Sequence, residues 1–193
     1  LSTAAQQYGG FTVPEVDKIL APYAKKSYDK YISEFMKYSD ESWSGREERA
    51  IEYALDKVRR DYDQGWQGIE YKLNTVGSSR GDYPFVTVTL GLGTEQFEKM
   101  CTISLLEVHQ GGQGKAGHKK PVLFPKIVFL YDKEIHGPGK CCEDIFEAGV
   151  ECSSKTMYPD WLSMSGAGYI SSMYRKYKKV ISPMGCRAFL SPW

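Results

Sequence analysis

The feature that most limits the fold is a change of hydrophobic period part-way along the chain. Over residues 14–38 the apolar and aromatic side chains Val16, Ile19, Leu20, Tyr23, Tyr28, Tyr31, Ile32 and Phe35 recur near the i, i+3, i+4 spacing of one helix face. Thr12 or Val13 followed by Pro14 makes a helix start, because the first turn leaves the amide that proline lacks unused anyway. Pro22 is a point where this helix can kink. The polar stretch Ser39-Asp-Glu-Ser-Trp-Ser-Gly45 breaks the pattern, and a second helical run goes from Arg46 through Ile51, Leu55 and Val58 towards Tyr71 or Leu73. Two long helices in hairpin order are predicted.

After them the period shortens. Phe85-Val-Thr-Val-Thr-Leu90 is rich in β-branched residues and reads as a strand ended by Gly91 and Gly93. Thr94 stands where it can cap a helix over 95–109. Residues 110–120 hold four glycines and three lysines, so they are expected to form a mobile loop before the strand Lys126-Ile-Val-Phe-Leu-Tyr131. Gly137-Pro-Gly139 turns the chain into a helix over 143–150, and a shorter helix is expected near 167–177. Strands alternating with helices pair in parallel, so the fold class is α/β, with ligands expected at the carboxyl ends of the strands. No internal repeat, low-complexity segment or linker divides the chain, which reads as a single domain piece with a helical hairpin at 1–75 and strand–helix units at 76–193.

Bulk properties exclude more than they select. The 193 residues are 41% hydrophobic, enough for a sizeable core. With 25 Lys+Arg against 24 Asp+Glu there is no net field to attract nucleic acid or an anionic membrane. The odd count of five cysteines fits a reducing, cytoplasmic setting better than a disulfide scaffold. No apolar run approaches the roughly 20 residues of a membrane span, and no leader pattern opens the chain. Because Leu1 is not an initiator methionine and the end at Phe189-Leu-Ser-Pro-Trp193 is apolar, the chain is expected to be a piece of a longer protein.

The segment Val180-Ile-Ser-Pro-Met-Gly-Cys186-Arg-Ala-Phe-Leu190 sets a cysteine beside a glycine, between an apolar lead-in and an apolar exit. That is the composition of a tight loop presenting a sulfur. A small buried thiol is the other reading of such a cysteine. Arg187 would favour a thiolate, but no histidine lies nearby in sequence to complete a nucleophilic pair. His136, Cys141, Cys142 and Cys152 suggest a metal, yet adjacent cysteines lack the gap that turns both thiolates to one tetrahedral ion, and a structural role is expected instead.

Taken together, Pro125-Lys-Ile-Val-Phe-Leu-Tyr-Asp132, His136-Gly-Pro-Gly139, Phe146-Glu-Ala-Gly-Val-Glu-Cys-Ser-Ser-Lys155, Met157-Tyr-Pro-Asp160 and Ile181-Ser-Pro-Met-Gly-Cys-Arg-Ala-Phe-Leu-Ser-Pro-Trp193 resemble the catalytic subunit of class III, anaerobic, glycyl-radical ribonucleoside-triphosphate reductases. Gln7-Tyr-Gly-Gly10, Leu20-Ala-Pro-Tyr23, Leu73-Asn-Thr75 and Ser78-Ser-Arg-Gly81 resemble the same family in the same order, so the likeness covers nearly the whole chain.

The resemblance implies part of a ten-stranded α/β barrel whose central finger loop carries a cysteine, matched here by Cys186 with Met184 as its neighbour. In that family a glycyl radical turns this cysteine into a thiyl, which takes the ribose 3′ hydrogen so that the 2′ hydroxyl leaves as water. It further implies a ribonucleoside triphosphate substrate, an allosteric (d)NTP and a homodimer formed through two long helices, mapping onto 14–38 and 46–73. For Tyr23, Tyr31, Ile51 and Leu55, interface and ordinary core are equally weighted readings. The glycyl radical, installed by an S-adenosylmethionine iron–sulfur activase, and the family's zinc site are expected outside this chain, as is the second active-site cysteine, so the piece alone is expected to be inactive. The loops at 76–83 and 110–120 combine glycine, hydroxyl and basic groups suited to cradling phosphate. Asn74, Ser78, Ser79, Arg80 and Lys115 are the nucleotide-contact candidates there. Ser153 and Ser154 join them because Cys152-Ser-Ser-Lys155 is expected to follow a helix and to start another, where its hydroxyls would bind phosphate or cap. Rival readings are a glycyl-radical enzyme of the pyruvate formate-lyase type, a non-catalytic nucleotide-binding or dimerisation module, and a cysteine hydrolase.

Overall fold

The β-branched run in the middle of the chain forms the centre of a parallel sheet. In the computed structural model, which describes residues 10–75, 83, 85–184 and 188–189, four parallel strands lie in the order β1 (Phe11–Val13), β2 (Val86–Leu90), β3 (Lys126–Tyr131) and β4 (Asp160–Ser163). Between β1 and β2 come α1 (Val16–Tyr38) and α2 (Arg46–Thr75). α3 (Gln96–Gly111) links β2 to β3, while the single turn α4 (Lys133–His136) and α5 (Glu143–Thr156) link β3 to β4. α6 (Tyr169–Tyr177) follows, then the short antiparallel pair β5 (Pro183–Met184) and β6 (Ala188–Phe189). The α/β class and parallel pairing are as expected from the sequence. Among the described residues no helix is long and apolar enough to cross a membrane.

Alternation along the strands gives the sheet two unlike faces. Val86, Val88, Leu90, Ile127 and Phe129 belong to one core with Val58, Tyr62 and Trp66 of α2, Leu105 and Leu106 of α3, and Ile145 and Cys152 of α5. Phe129 is fully buried and its ring lies 4.7 Å from that of Trp161 on β4. Gly149 lets α5 come down onto this pair, since a Cβ there would lie 3.0 Å from Trp161 and 3.3 Å from Phe129.

Several boundaries differ from the sequence reading, each for a local reason. The first helix begins at Val16, not Pro14, because residues 11–13 are drawn into the sheet beside β2 and the left-handed Glu15 (φ 43°) makes the corner. Pro22 lies inside α1, which continues past it to Tyr38. Thr94 does not cap α3; Glu95 does, in a capping box with Glu98. The helix expected over 143–150 continues to Thr156 and ends at the left-handed Met157, so Cys152-Ser-Ser-Lys155 is its last turn rather than the start of another. The loop after α3 is pinned across its base, with Gln113 and Lys120 exchanging backbone hydrogen bonds of 2.9 and 2.8 Å.

The stripe that α2 buries is also not the one that apolar spacing suggested. Ala50, Ala54, Val58, Tyr62, Trp66, Glu70 and Leu73 are buried, whereas Ile51 is 47% exposed. The small alanines carry little hydrophobic signal but let neighbouring helices approach. Truncation tests this placement: Phe129→Ala should lower the unfolding free energy by about 3–5 kcal/mol, and Ile51→Ala by about 0.5 kcal/mol or less, in urea titrations. Comparable losses at the two positions would mean that α2 turns a different face to the sheet.

Candidate functional site

The face of the sheet turned away from α1–α3 and α5 is more polar. Register places Thr12, Thr87 and Lys126 in one row across it, and Thr89, Val128 and Asp160 in the next. Towards the carboxyl ends this face becomes apolar, where Leu92, Val128, Leu130 and Met164 pack with Leu162, Ile170, Tyr174 and Val180. The chain returns over this face after α6. Thr12 Oγ1 donates to the Pro183 carbonyl at 3.0 Å, and the hydroxyls of Thr89 and Ser182 lie 3.2 Å apart. Ile181 and Pro183 are buried there. Pro183 then pairs with Phe189 and Met184 with Ala188. Cys186 comes between these strands in sequence; it lies outside the described residues, as does the side chain of Met184.

The segment at the carboxyl end of β2 is held from two sides. Asp17, in the first turn of α1, accepts hydrogen bonds from Gly91 N (2.9 Å) and Gly93 N (3.2 Å) on one carboxylate oxygen, with Thr102 Oγ1 at 3.4 Å. Lys18 N reaches its other oxygen at 3.0 Å. From the opposite side His136 Nε2 donates to the Gly91 carbonyl at 2.7 Å, while its Nδ1 accepts from Asp132 N at 2.9 Å. The Asp132 carbonyl also lies 3.0 Å from Nδ1, and burial lowers the imidazole's pKa, which favours the neutral ring. Burial pushes the Asp17 carboxyl above its ordinary value, although the amides of Gly91, Lys18 and Gly93 oppose the shift. Thr89 Oγ1 accepts from Glu15 N at 2.8 Å, so the corner into α1 and the segment leading to Cys186 share one hydroxyl.

The sequence profile of the anaerobic ribonucleoside-triphosphate reductase family matches residues 1–192. The chain belongs to that family. A relative from Enterobacteria phage T4, named anaerobic ribonucleoside-triphosphate reductase, is 37% identical over 194 residues, which cover 98% of this chain and 29% of that protein. Proteins of the same name from Salmonella typhimurium and Escherichia coli are 35% and 34% identical, each across 98% of this chain and 25% of their own length. The chain thus spans between a quarter and a third of the curated relatives it matches.

Of the nucleotide-contact candidates drawn from that family, Ser78, Ser79 and Arg80 lie outside the described residues. Asn74 is engaged on both sides of its amide: Nδ2 donates to the carbonyls of Glu70 and Phe124, both at 2.7 Å, and Oδ1 accepts from Leu123 N (3.0 Å) and Phe124 N (3.2 Å). It fastens the end of α2 to the approach to β3. Ser154 Oγ donates to the Glu151 carbonyl at 2.7 Å, and Ser153 Oγ accepts from Trp161 Nε1 at 3.1 Å. Both serines sit at the negative end of the α5 dipole, which disfavours phosphate. Lys115 is exposed in the loop after α3, its carbonyl accepting from His118 N at 2.9 Å. The described candidates thus sit at the end of α2, in the loop after α3 and in the last turn of α5.

Two buried groups escaped sequence reasoning. Asp17 looks in sequence like an ordinary helix-start acid, and Glu70 like an exposed helical one. Glu70 Oε1 lies 2.8 Å from His109 Nδ1, and Gln113 Nε2 donates to its Oε2 at 3.2 Å, which joins α2, α3 and the following loop in one buried polar link. The signal that could have found both is a charge that interrupts the apolar face of its helix, as Asp17 does beside Val16 and Glu70 between Trp66 and Leu73. Cys101 and Cys152 are buried thiols whose pKa values burial raises. Among the described residues no group of His, Cys, Asp and Glu is arranged to hold a metal.

Asp17 gives a pH test. Its pKa is raised by folding, so its contribution to stability is fully present below the unfolded carboxylate value and is lost as pH rises through the folded one. Urea midpoints should fall with rising pH across that interval, and Asp17→Asn should flatten the fall. An identical pH profile in the variant would mean that Asp17 does not titrate differently in the fold.

Proposed function

We propose that the chain forms part of the catalytic barrel of an anaerobic ribonucleoside-triphosphate reductase, with Cys186 as the residue that takes hydrogen from the substrate ribose. The observation that carries this reading is the position of the segment flanking Cys186: it is tied by Thr12, Thr89 and Ser182 to the sheet face opposite the helices. In a closed barrel that face becomes the interior. β1 and β4 are the outer strands of the described sheet, which suits continuation into the ten strands of the family's barrel.

The chemistry sets demands that a loop inside a barrel would meet. A carbon-bound hydrogen at the ribose 3′ position yields only to a sulfur radical held in contact with it and kept from solvent and competing donors. Hydrogen passes from C3′ to the Cys186 thiyl sulfur, the 2′ hydroxyl takes up a proton and departs as water, and the two electrons of the net reduction come from a formate or dithiol reductant outside this chain. The oxidising equivalent comes from a glycyl radical, installed elsewhere in the polypeptide by an iron–sulfur activase that uses S-adenosylmethionine; the zinc site likewise lies elsewhere. On either side of Cys186 in sequence, Pro183 pairs with Phe189 and Met184 with Ala188. The substrate is a ribonucleoside triphosphate.

The helices α1 and α2 supply the subunit contact of a homodimer in this reading. Ile19, Tyr23 and Ile51 are exposed, and a groove of about 260 Å³ between the two helices is lined by Leu20, Ala24, Val58, Trp66 and Ile69. Residues 76–83 and Lys115 take the allosteric nucleotide in the same reading. Anaerobic activation of the full-length enzyme carrying Cys186→Ala tests the central assignment. The glycyl-radical EPR signal should form normally while ribonucleotide reduction falls to background. Substantial remaining turnover would remove Cys186 from the mechanism.

A further inference from the structure

Outside that site the fold brings two sulfurs together. The Sγ atoms of Cys141 and Cys142 lie 3.6 Å apart in the turn between α4 and α5, with Cys141 exposed and Cys142 buried. The turn is braced on every side. Cys142 N donates to the Ile135 carbonyl at 2.9 Å, and Phe146 N to the Cys142 carbonyl at 3.2 Å. Lys99 Nζ donates to the Cys141 carbonyl at 2.8 Å and pairs with Asp144 at 2.8 Å. Neighbouring side chains in a strand point to opposite faces; Cys142, at the N-cap of α5 with φ −120° and ψ 24°, is in neither a strand nor a helix conformation.

We propose that Cys141 and Cys142 are a vicinal dithiol that undergoes reversible thiol–disulfide exchange with low-molecular-weight disulfides, closing to a bond between adjacent residues. The two cysteines divide the work by exposure. The Cys141 thiolate attacks one sulfur of the incoming disulfide; that S–S bond breaks, one small thiolate leaves, and a mixed disulfide remains on Cys141. Cys142 then gives its proton to solvent, its sulfur attacks the Cys141 sulfur, and the second small thiol departs. Two protein thiols are oxidised and the reagent's disulfide is reduced to two thiols. Burial, together with the neighbouring Cys141, pushes the Cys142 thiol up to about 12, so it does not compete as the entry point.

Geometry makes the bond labile. Adjacent Cα atoms stand about 3.8 Å apart across a trans peptide, short of the roughly 4.4–6.8 Å of ordinary disulfides, and a strained bond is the more easily reduced. The pair therefore suits switching and not stapling. Closure also removes the thiol proton of Cys142, whose sulfur lies 3.7 Å from the Gly93 carbonyl, in the segment that Asp17 and His136 hold.

The test treats the full chain with glutathione disulfide, quenches free thiols by alkylation, and maps the cysteines by peptide mass with fragmentation. The expected product is a peptide lighter by two hydrogens with the bond between Cys141 and Cys142, restored to the dithiol by dithiothreitol. Cys142→Ala should instead accumulate a glutathione adduct on Cys141, and Cys141→Ser should leave Cys142 unmodified. A lasting adduct on wild-type Cys141, a bond from either residue to Cys152, or a pair that stays reduced would each overturn the proposal.

Discussion

In β2 successive side chains leave the sheet on opposite sides, and this alternation is what the rest of the architecture has to accommodate. Val86, Val88 and Leu90 go to the helices, and Thr87 and Thr89 to the other face. A strand buried on both faces usually reads as an unbroken apolar run. Here alternate threonines keep hydroxyls on the far side, and one of them, Thr89, receives the corner into α1 as well as Ser182. The helix-facing side supplies the burial that holds the sheet together; the hydroxyl side fixes what lies across it.

Buried polar groups do the fastening that hydrophobic contact cannot. Apolar packing is non-directional and tolerates sliding, whereas a carboxylate that accepts two particular amides does not. Asp17 and His136 grip the amide and carbonyl of Gly91, and Glu70 binds His109 and Gln113 in a place where neither helix meets water. Asn74 uses both ends of its amide in the same way. Asp17 and Asn74 join the helical hairpin to segments at the ends of β2 and β3, and Glu70 joins it to α3 and the loop that follows, so the hairpin is held by direction-specific contacts as well as by packing.

The helical hairpin, the two central strands and the parallel class were legible because each rests on a long periodic run. The three-residue β1 and four-residue β4 were not, since strands this short carry too few side chains to show a period, and pairing with β2 and β3 decides them. The buried face of α2 was misplaced because Ala50 and Ala54 contribute closeness more than hydrophobicity. Family resemblance named Cys186, and the sequence reads it as a loop residue between apolar runs; the contacts of Ser182 and Pro183 upstream rest on Thr89 and Thr12, which no local pattern links to residues so far along the chain. Asp17 and Glu70 escaped for the converse reason, because charged residues in helices are ordinarily solvated and only tertiary packing buries them.

The Thr12–Pro183 hydrogen bond joins residues 171 positions apart, whereas the contact between Glu15 and Thr89 spans 74. Loop closure costs only about 0.6 kcal/mol more for each doubling of length, so the longer connection is a small thermodynamic burden. Its effect is on the order of events. The platform for the cysteine segment exists only after β1 has paired with β2 across the whole helical hairpin. Contacts of such long range form slowly in comparison with a helix or a helical pair. The stretch through Ser182 and Pro183 therefore docks late in folding, onto a surface already built, so the far end of the chain is the last to gain its contacts with the sheet.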